Sequence, residues 1–294
     1  MRTDFSGAWL VWLMLSLAVA AVVVAGALRC KRQAQGPDEI RVYKRIAGHA
    51  LNLHVFHARQ LPRASGAQGR RTPAALLLFH GGGWGHGSPR QFFPQCRELS
   101  RLGITCISVE YRIASRHGST PSDAVDDAHA ALHWVRTQAP ALGLDPARVA
   151  AGGGSAGGHL AAALGTGIRA ADHGADPTAA RPRALLLLNP MLDLSPGQPD
   201  HDRVGADWQA LSPMHHVGPD VPPTLVLNGT HDPEVPVATV QAFCAKVKAA
   251  GTTCELQLFT GAGHGFFNPE VDDGRRYGPA LAHMRRFLHE QGLL

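Results

Sequence analysis

The run Gly152-Gly153-Gly154-Ser155-Ala156-Gly157-Gly158 restricts the possible folds of this chain more than any other stretch. An apolar segment, Val149 to Ala151, precedes it and the helical His159-Leu160-Ala161-Ala162-Ala163-Leu164 follows, so the order is strand, sharp turn, helix. Glycine has no Cβ, and glycines on both sides of Ser155 let a strand reverse into a helix with the two backbones in close contact. The serine is then left at the tip of the turn, at one end of a sheet. A phosphate-cradling loop would use similar glycines but would want a lysine nearby, and none is present.

Strand-like and helical patterns alternate through the rest of the chain. Ala74 to Phe79 and Ile104 to Val109 are continuous apolar runs, as expected of strands covered on both faces, and Ala184 to Leu188, Thr224 to Leu227 and Leu256 to Phe259 are three more. The short run Ile40 to Arg45 opens the sheet. Helices are predicted over Ser122 to Thr137, where Ala124, Ala128, Ala131, Leu132 and Val135 recur at helical spacing after Pro121, and around Pro279 to His289. This alternation predicts an α/β fold with a central, mostly parallel β-sheet flanked by helices on both faces. The 294 residues, 45% hydrophobic and 17% charged, supply one sizeable core, placed in a single domain at 38–294, and no internal repeat is found.

Residues 1–37 are set apart as a targeting segment and linker. Ala8 to Leu28 is apolar except for Ser16 and Gly26 and, as a helix, is long enough to cross a bilayer. Three readings stay open. The first is a signal peptide with Arg2 in its n-region and Ala25-Gly26-Ala27 as the cleavage site. The second is an uncleaved anchor, favoured by Arg29, Lys31 and Arg32 just beyond the apolar stretch, and the third a lipoprotein signal at Cys30, disfavoured by Arg29 before it. Either export or anchoring at the membrane through residues 8–28 follows, and no other membrane contact is expected. The net charge of +5 is spread among seventeen histidines rather than gathered in a stripe, so nucleic acid is not an expected partner. Oligomeric state is left open.

Four of the five cysteines form two pairs of equal spacing, Cys96 with Cys106 and Cys244 with Cys254, each joining a predicted helix to the following strand. Oxidised pairs and buried free thiols both fit this pattern.

Gly153-Gly154-Ser155-Ala156-Gly157 has the G-x-S-x-G spacing that presents a serine oxygen as a nucleophile. His80-Gly81-Gly82-Gly83-Trp84 ends a predicted strand, and its glycines offer unobstructed N–H groups to a developing oxyanion. Gly82 and Gly83 are therefore candidate donors, together with Ala156 at a helix N-terminus. A base must accept the serine proton, and His264 stands on the glycine-rich loop Gly261 to Gly265 after the last strand. Asp232 follows a buried strand and is the candidate to fix the His264 tautomer, with Asp193 as its rival one strand earlier. His80 is read as bracing its loop, His159 as packed in its helix, and Glu110, Arg112, Asp126 and Asp127 as bracing loops near the site. His201, Asp202, His215 and His216 cluster loosely without a metal-site spacing, so neither a metal nor a cofactor is expected.

HGGGWG, GGGSAGGHLAAAL, LNGTHDPEVPVATV and GAGHGFFN, in this order over Ile40 to Leu294, resemble the α/β-hydrolase family of short-chain and carbohydrate acetyl esterases, akin to the hormone-sensitive-lipase-like group. The resemblance implies Ser155, Asp232 and His264 as a catalytic triad and Gly82, Gly83 and Ala156 as oxyanion donors. It also implies small O-acyl esters, acetylated sugars among them, as substrates. A peptidase or amidase of the same fold and a non-catalytic binding protein on a hydrolase scaffold are the alternatives, the latter disfavoured because all three triad positions are filled. The chain departs from many relatives in having little room for a lid between Glu39 and Ala74 or between Pro190 and Pro223, which predicts a minimal cap and an open pocket.

Overall fold

Parallel strands buried on both faces need crossovers that return over the sheet, and all but one of these connections are full helices. The computed structural model describes residues 36–59, 72–169 and 181–294. The readings of residues 8–28 and Cys30 lie outside the described residues. Among those described, no helix is long and apolar enough to cross a membrane.

In chain order the main elements are β1 (Glu39–Ile46), β2 (His49–Phe56), β3 (Ala75–Phe79), α1 (Phe93–Arg101), β4 (Thr105–Val109), α2 (Pro121–Gln138), β5 (Val149–Gly154), α3 (Ala156–Thr166), β6 (Leu185–Leu188), β7 (Thr224–Gly229), α4 (Val237–Ala249), β8 (Cys254–Phe259) and α5 (Tyr277–Glu290). The strands form an eight-stranded sheet in the order β1-β2-β4-β3-β5-β6-β7-β8. From β4 to β8 every neighbouring pair is parallel, while β2 runs antiparallel to β4 and β1 antiparallel to β2. The expected strand at Ile40 to Arg45 is thus the outer half of a hairpin whose inner strand, β2, the sequence reading had not identified. Ala47 and Gly48, both at positive φ (46° and 79°), make the two-residue turn between them.

Side chains alternate across the pleat into two apolar layers. Leu76 and Leu78 of β3 share one layer with Leu99 of α1 and Met284 of α5, and Leu77 and Phe79 share the other with Leu132 of α2, Leu160 of α3 and Phe243 of α4. At α2, Thr120 accepts from the Asp123 N–H while Asp123 accepts from the Thr120 N–H, a reciprocal cap that starts the helix at Pro121. Both cysteine pairs are disulfides, with Cα atoms 4.9 Å and 5.2 Å apart, and they tie α1 to β4 and α4 to β8. Between β6 and β7 the chain forms only short helical turns, His201–Val204 and Trp208–Leu211 being four residues each, so the cap is small.

Candidate active site

β5 continues as a strand through the glycines to Gly154, beyond the predicted end at Ala151, and α3 begins at Ala156. Ser155 between them takes φ 56° and ψ −122°, backbone that a residue with a side chain rarely occupies and that costs on the order of 1–3 kcal/mol. Neighbouring bonds hold it there: Ser155 N–H donates to Leu188 O at 2.9 Å, and Ser155 O accepts from His159 N–H at 3.0 Å. Gly157 is demanded by a close approach, because a Cβ there would lie 2.5 Å from His80 O and nearer still to Phe79 O. Ser155 keeps 6% exposure, and its hydroxyl has no hydrogen-bond partner among the described residues.

Asp232 lies three residues beyond β7 with its side chain fully buried. Its Oδ1 accepts from the N–H groups of Glu234 and Val235, both at 2.9 Å, which fixes the carboxylate plane. His264, on the loop after β8, places Nδ1 at 2.9 Å from Oδ2 and 3.0 Å from Oδ1 of that carboxylate. The two loops are tied together by His231 N–H to Ala262 O at 2.9 Å and Gly261 N–H to Thr230 Oγ1 at 2.8 Å. Burial by itself would lower the His264 pKa, but the Asp232 hydrogen bond and the charges of Asp232, Glu234 and Asp200 outweigh it and hold the ring above its ordinary value.

Asp232 and His264 are thus in contact. Ser155 is not hydrogen-bonded to His264, and the path between them runs through β6: Leu188 accepts from Ser155, and the side chain of the next residue, Asn189, reaches the His264 loop. A second link is apolar. The ring of Phe267, three residues after His264, fills the space a side chain on Gly154 would occupy, and it stacks on Phe92 with centroids 5.6 Å apart. Gln95 Nε2–H donates to Phe267 O at 3.0 Å and secures the same loop to α1.

The glycine-rich loop after β3 lies against the turn, since a Cβ on Gly81 would stand 3.3 Å from Ser155 Cβ. Gly81 N–H is taken by Gln91 Oε1 at 2.7 Å. The N–H groups of Gly82, Gly83 and Ala156 donate to no acceptor among the described residues, as donors awaiting an external oxygen would. Gly82 has φ +120°, and its carbonyl accepts from Gly85 and His86 N–H at 3.1 and 3.0 Å, closing a tight turn. His80 is buried, stacks on Tyr111 at 4.2 Å and, desolvated, has its pKa lowered to about 4, in keeping with a bracing role.

Asp193 accepts from the Ser195 N–H and hydroxyl and stays within its own turn, so it does not compete with Asp232. Arg112 binds Asp127 and Asp123, and Arg169 binds Asp126, in braces behind the site. His159 Nε2 meets Leu211 O at 2.7 Å inside the core. His201, His215 and His216 bond to Leu194 O, Ser212 Oγ and Gln209 O respectively, and among the described residues no cluster is arranged to hold a metal ion. A cleft of 630 Å³ lined by Arg136, Arg181, Arg183 and Asp220 opens at the other ends of β5, β6 and β7 and contains none of the candidate residues. The residues that sequence reasoning missed are Asn189 and Glu234. Asn189 lies in an Asn-Pro turn that carries no chemical signature, and Glu234 is marked only by following Asp232 closely.

A family model described as alpha/beta hydrolase fold matches residues 76–216, and one described as the dienelactone hydrolase family matches residues 214–289. The chain is similar to esterase LipC of Mycobacterium tuberculosis, 29% identical over 245 residues that make up 74% of this chain and 59% of that protein. It is similar as well to an ethyl acetate hydrolase of Pseudomonas putida, 29% identical over 260 residues, 77% of this chain and 76% of that one. Among solved structures, a thermophilic esterase of Thermogutta terrifontis with propionate bound superimposes with a TM-score of 0.78 at 37% identity, covering 87% of this chain and 95% of the other. The chain spans 59% of LipC and 52% of the related LipQ, between half and two thirds of each.

Proposed function

We propose that this chain, which belongs to the α/β-hydrolase fold family, is a carboxylic ester hydrolase that works through an acyl-enzyme formed on Ser155. The carrying observation is that Asp232 holds Nδ1 of His264 at 2.9 Å, at the same end of the sheet as the unengaged Ser155 hydroxyl, which supports reading Nε2 as the base. His264 Nε2 takes the Ser155 proton as Oγ attacks the acyl carbon, and the former carbonyl oxygen, now negative, is met by the N–H groups of Gly82, Gly83 and Ala156. The imidazolium, stabilised by the Asp232 carboxylate, returns the proton to the leaving alcohol as the C–O bond breaks. Water, deprotonated by the same nitrogen, then attacks the acyl-Ser155 ester and releases the acid, and Ser155 recovers its proton.

Short acyl groups are the preferred substrates in this reading, acetylated carbohydrates among them. The small cap over β6 and β7 supports it, because a long acyl chain gains about 0.8 kcal/mol for each CH₂ only where an apolar wall can bury it. The relatives point the same way: one is named for ethyl acetate, and the Thermogutta terrifontis esterase has been solved with propionate and with butyrate. A comparison of p-nitrophenyl acetate with the dodecanoate tests this. The expected result is a higher kcat/KM on acetate, lost in a folded Ser155→Ala variant. A higher value on the dodecanoate overturns the chain-length reading, and undiminished turnover in Ser155→Ala overturns the nucleophile.

A further inference from the structure

Asn189 is fully buried at the end of β6, with φ +36°, a left-handed backbone position that Asn tolerates better than most side chains. Its backbone N–H donates to Leu227 O at 2.7 Å, so the residue continues the β6–β7 pairing at the end of an interior strand rather than sitting on a free loop. The two ends of its amide face different partners: Oδ1 is 3.1 Å from the Gly265 N–H, and Nδ2 is 3.3 Å from His264 Nε2. Gly265 N–H can only donate, which assigns Oδ1 to it and leaves Nδ2, also only a donor, pointing at the imidazole. Nε2 must then be an acceptor, so the ring is neutral with its proton on Nδ1. That is the tautomer Asp232 demands from the other side. Glu234 reads the same atom in the opposite sense, its Oε2 lying 3.4 Å from Nε2 on a half-exposed side chain that favours a protonated ring.

We propose that Asn189 is a positioning residue that holds Nε2 of His264 as a proton acceptor in the resting protein and yields that lone pair to the Ser155 hydroxyl when an ester binds. The inference rests on the reading of His264 as the base. No proton changes hands in the exchange: one N–H leaves the lone pair, one O–H takes its place, and transfer from Ser155 follows with attack. Before the exchange, a proton on Nε2 would face the Asn189 N–H donor to donor. Asn189 therefore opposes the carboxylates that surround the ring, namely Asp232 and Glu234 after β7 and Asp200 before the first short cap helix, the last of these paired with Arg203. It keeps the base free nearer neutral pH than those charges would by themselves.

The test uses the full chain labelled with ¹⁵N-histidine, with His264 assigned from a His264→Gln variant and its ring titrated by NMR beside the pH profile of kcat/KM. Asn189→Gly keeps the positive φ and removes the amide. Asn189→Asp keeps the shape and the acceptor for Gly265 while replacing the donor. The parent is expected to show the Nδ1–H tautomer, and the His264 titration should move up by about half a unit in Asn189→Gly and by about one unit or more in Asn189→Asp, the acid limb of the activity profile moving with it. Variants that titrate with the parent, including ones that lose activity equally at every pH, overturn the proposal, as does an Nε2–H tautomer in the parent. Absence of ester turnover in the parent would sink the esterase reading instead, and the ring titration would still report on Asn189. If Asn189→Gly does not fold, the isosteric Asn189→Asp decides the matter.

Discussion

Gly82→Ala and Gly83→Ala differ by one position and should differ greatly in effect. A Cβ on Gly82 would lie 2.7 Å from the His86 carbonyl carbon and closer to its oxygen. That neighbour is backbone, in a turn closed by the bonds from Gly85 and His86 to Gly82 O, and at φ +120° the new side chain is strained in any case. Relief requires the turn to open, which carries the Gly82 and Gly83 N–H groups away from the oxyanion position. Losing one such donor costs about 2.7–4 kcal/mol of transition-state stabilisation, a fall of roughly 10²- to 10³-fold in rate. The nearest atoms to a Cβ on Gly83 are the end of the Arg203 side chain, at 2.7 Å, and that guanidinium is half exposed and tethered by its ion pair with Asp200, so it can shift where backbone cannot. Its φ of +56° is one that an alanine can adopt for about 1–2 kcal/mol, felt mainly in stability, so activity should fall by less than about tenfold. The assay is kcat/KM on p-nitrophenyl acetate, with thermal unfolding to show that both variants fold. Activity in Gly82→Ala close to that of the parent, or equal losses in the two variants, would refute the assignment of this loop as the oxyanion donor.

Asp232→Asn should lower kcat on the order of 10⁴-fold with little change in fold. Oδ1 is held by the Glu234 and Val235 N–H groups, so the new amide must turn its NH₂ toward His264 Nδ1 and force the tautomer that cannot accept a proton at Nε2; near-parental kcat in this variant would remove Asp232 from the site. Acid should destabilise the fold well before the carboxylates titrate, because burial holds His80 and His159 near a pKa of about 4 while the unfolded chain binds protons from about 6.5. Their contribution is complete above about 6.5 and is lost as pH falls toward 4, by at most about 3 kcal/mol each, with His264 acting in the opposite sense because its folded pKa is raised. Denaturant midpoints that stay flat between pH 7 and 5 would contradict this.

The parallel part of the sheet was legible because each strand is a short apolar run bounded by turn residues, and β3 to β8 lie within a few residues of where periodicity places them. Ser155, His264 and the Gly82 and Gly83 donors were legible as candidates because glycine-rich turns mark the ends of β5, β8 and β3, and Asp232 because it follows the buried run of β7. β2 is no continuous apolar run: Leu51, Leu53 and Val55 alternate with Asn52 and His54, the weaker signature of a half-buried strand, and its hairpin turn is Ala-Gly rather than the telltale Asn-Gly. Asn189 was hidden for a different reason. Its meaning depends on a histidine 75 residues away, and an Asn-Pro pair read locally signals only a change of direction.

The Phe267 ring in the notch at Gly154 joins the loop of His264 to the strand that leads to Ser155. His264 and Ser155 come from segments more than a hundred residues apart and share no hydrogen bond, yet each is adjacent to one side of a ring-and-notch joint. On the proposed roles, this joint ties the loop of the base to the strand that ends at the nucleophile. Trimming that ring, as in Phe267→Ala, should therefore cost ester turnover as well as stability, which kcat/KM beside thermal unfolding would show.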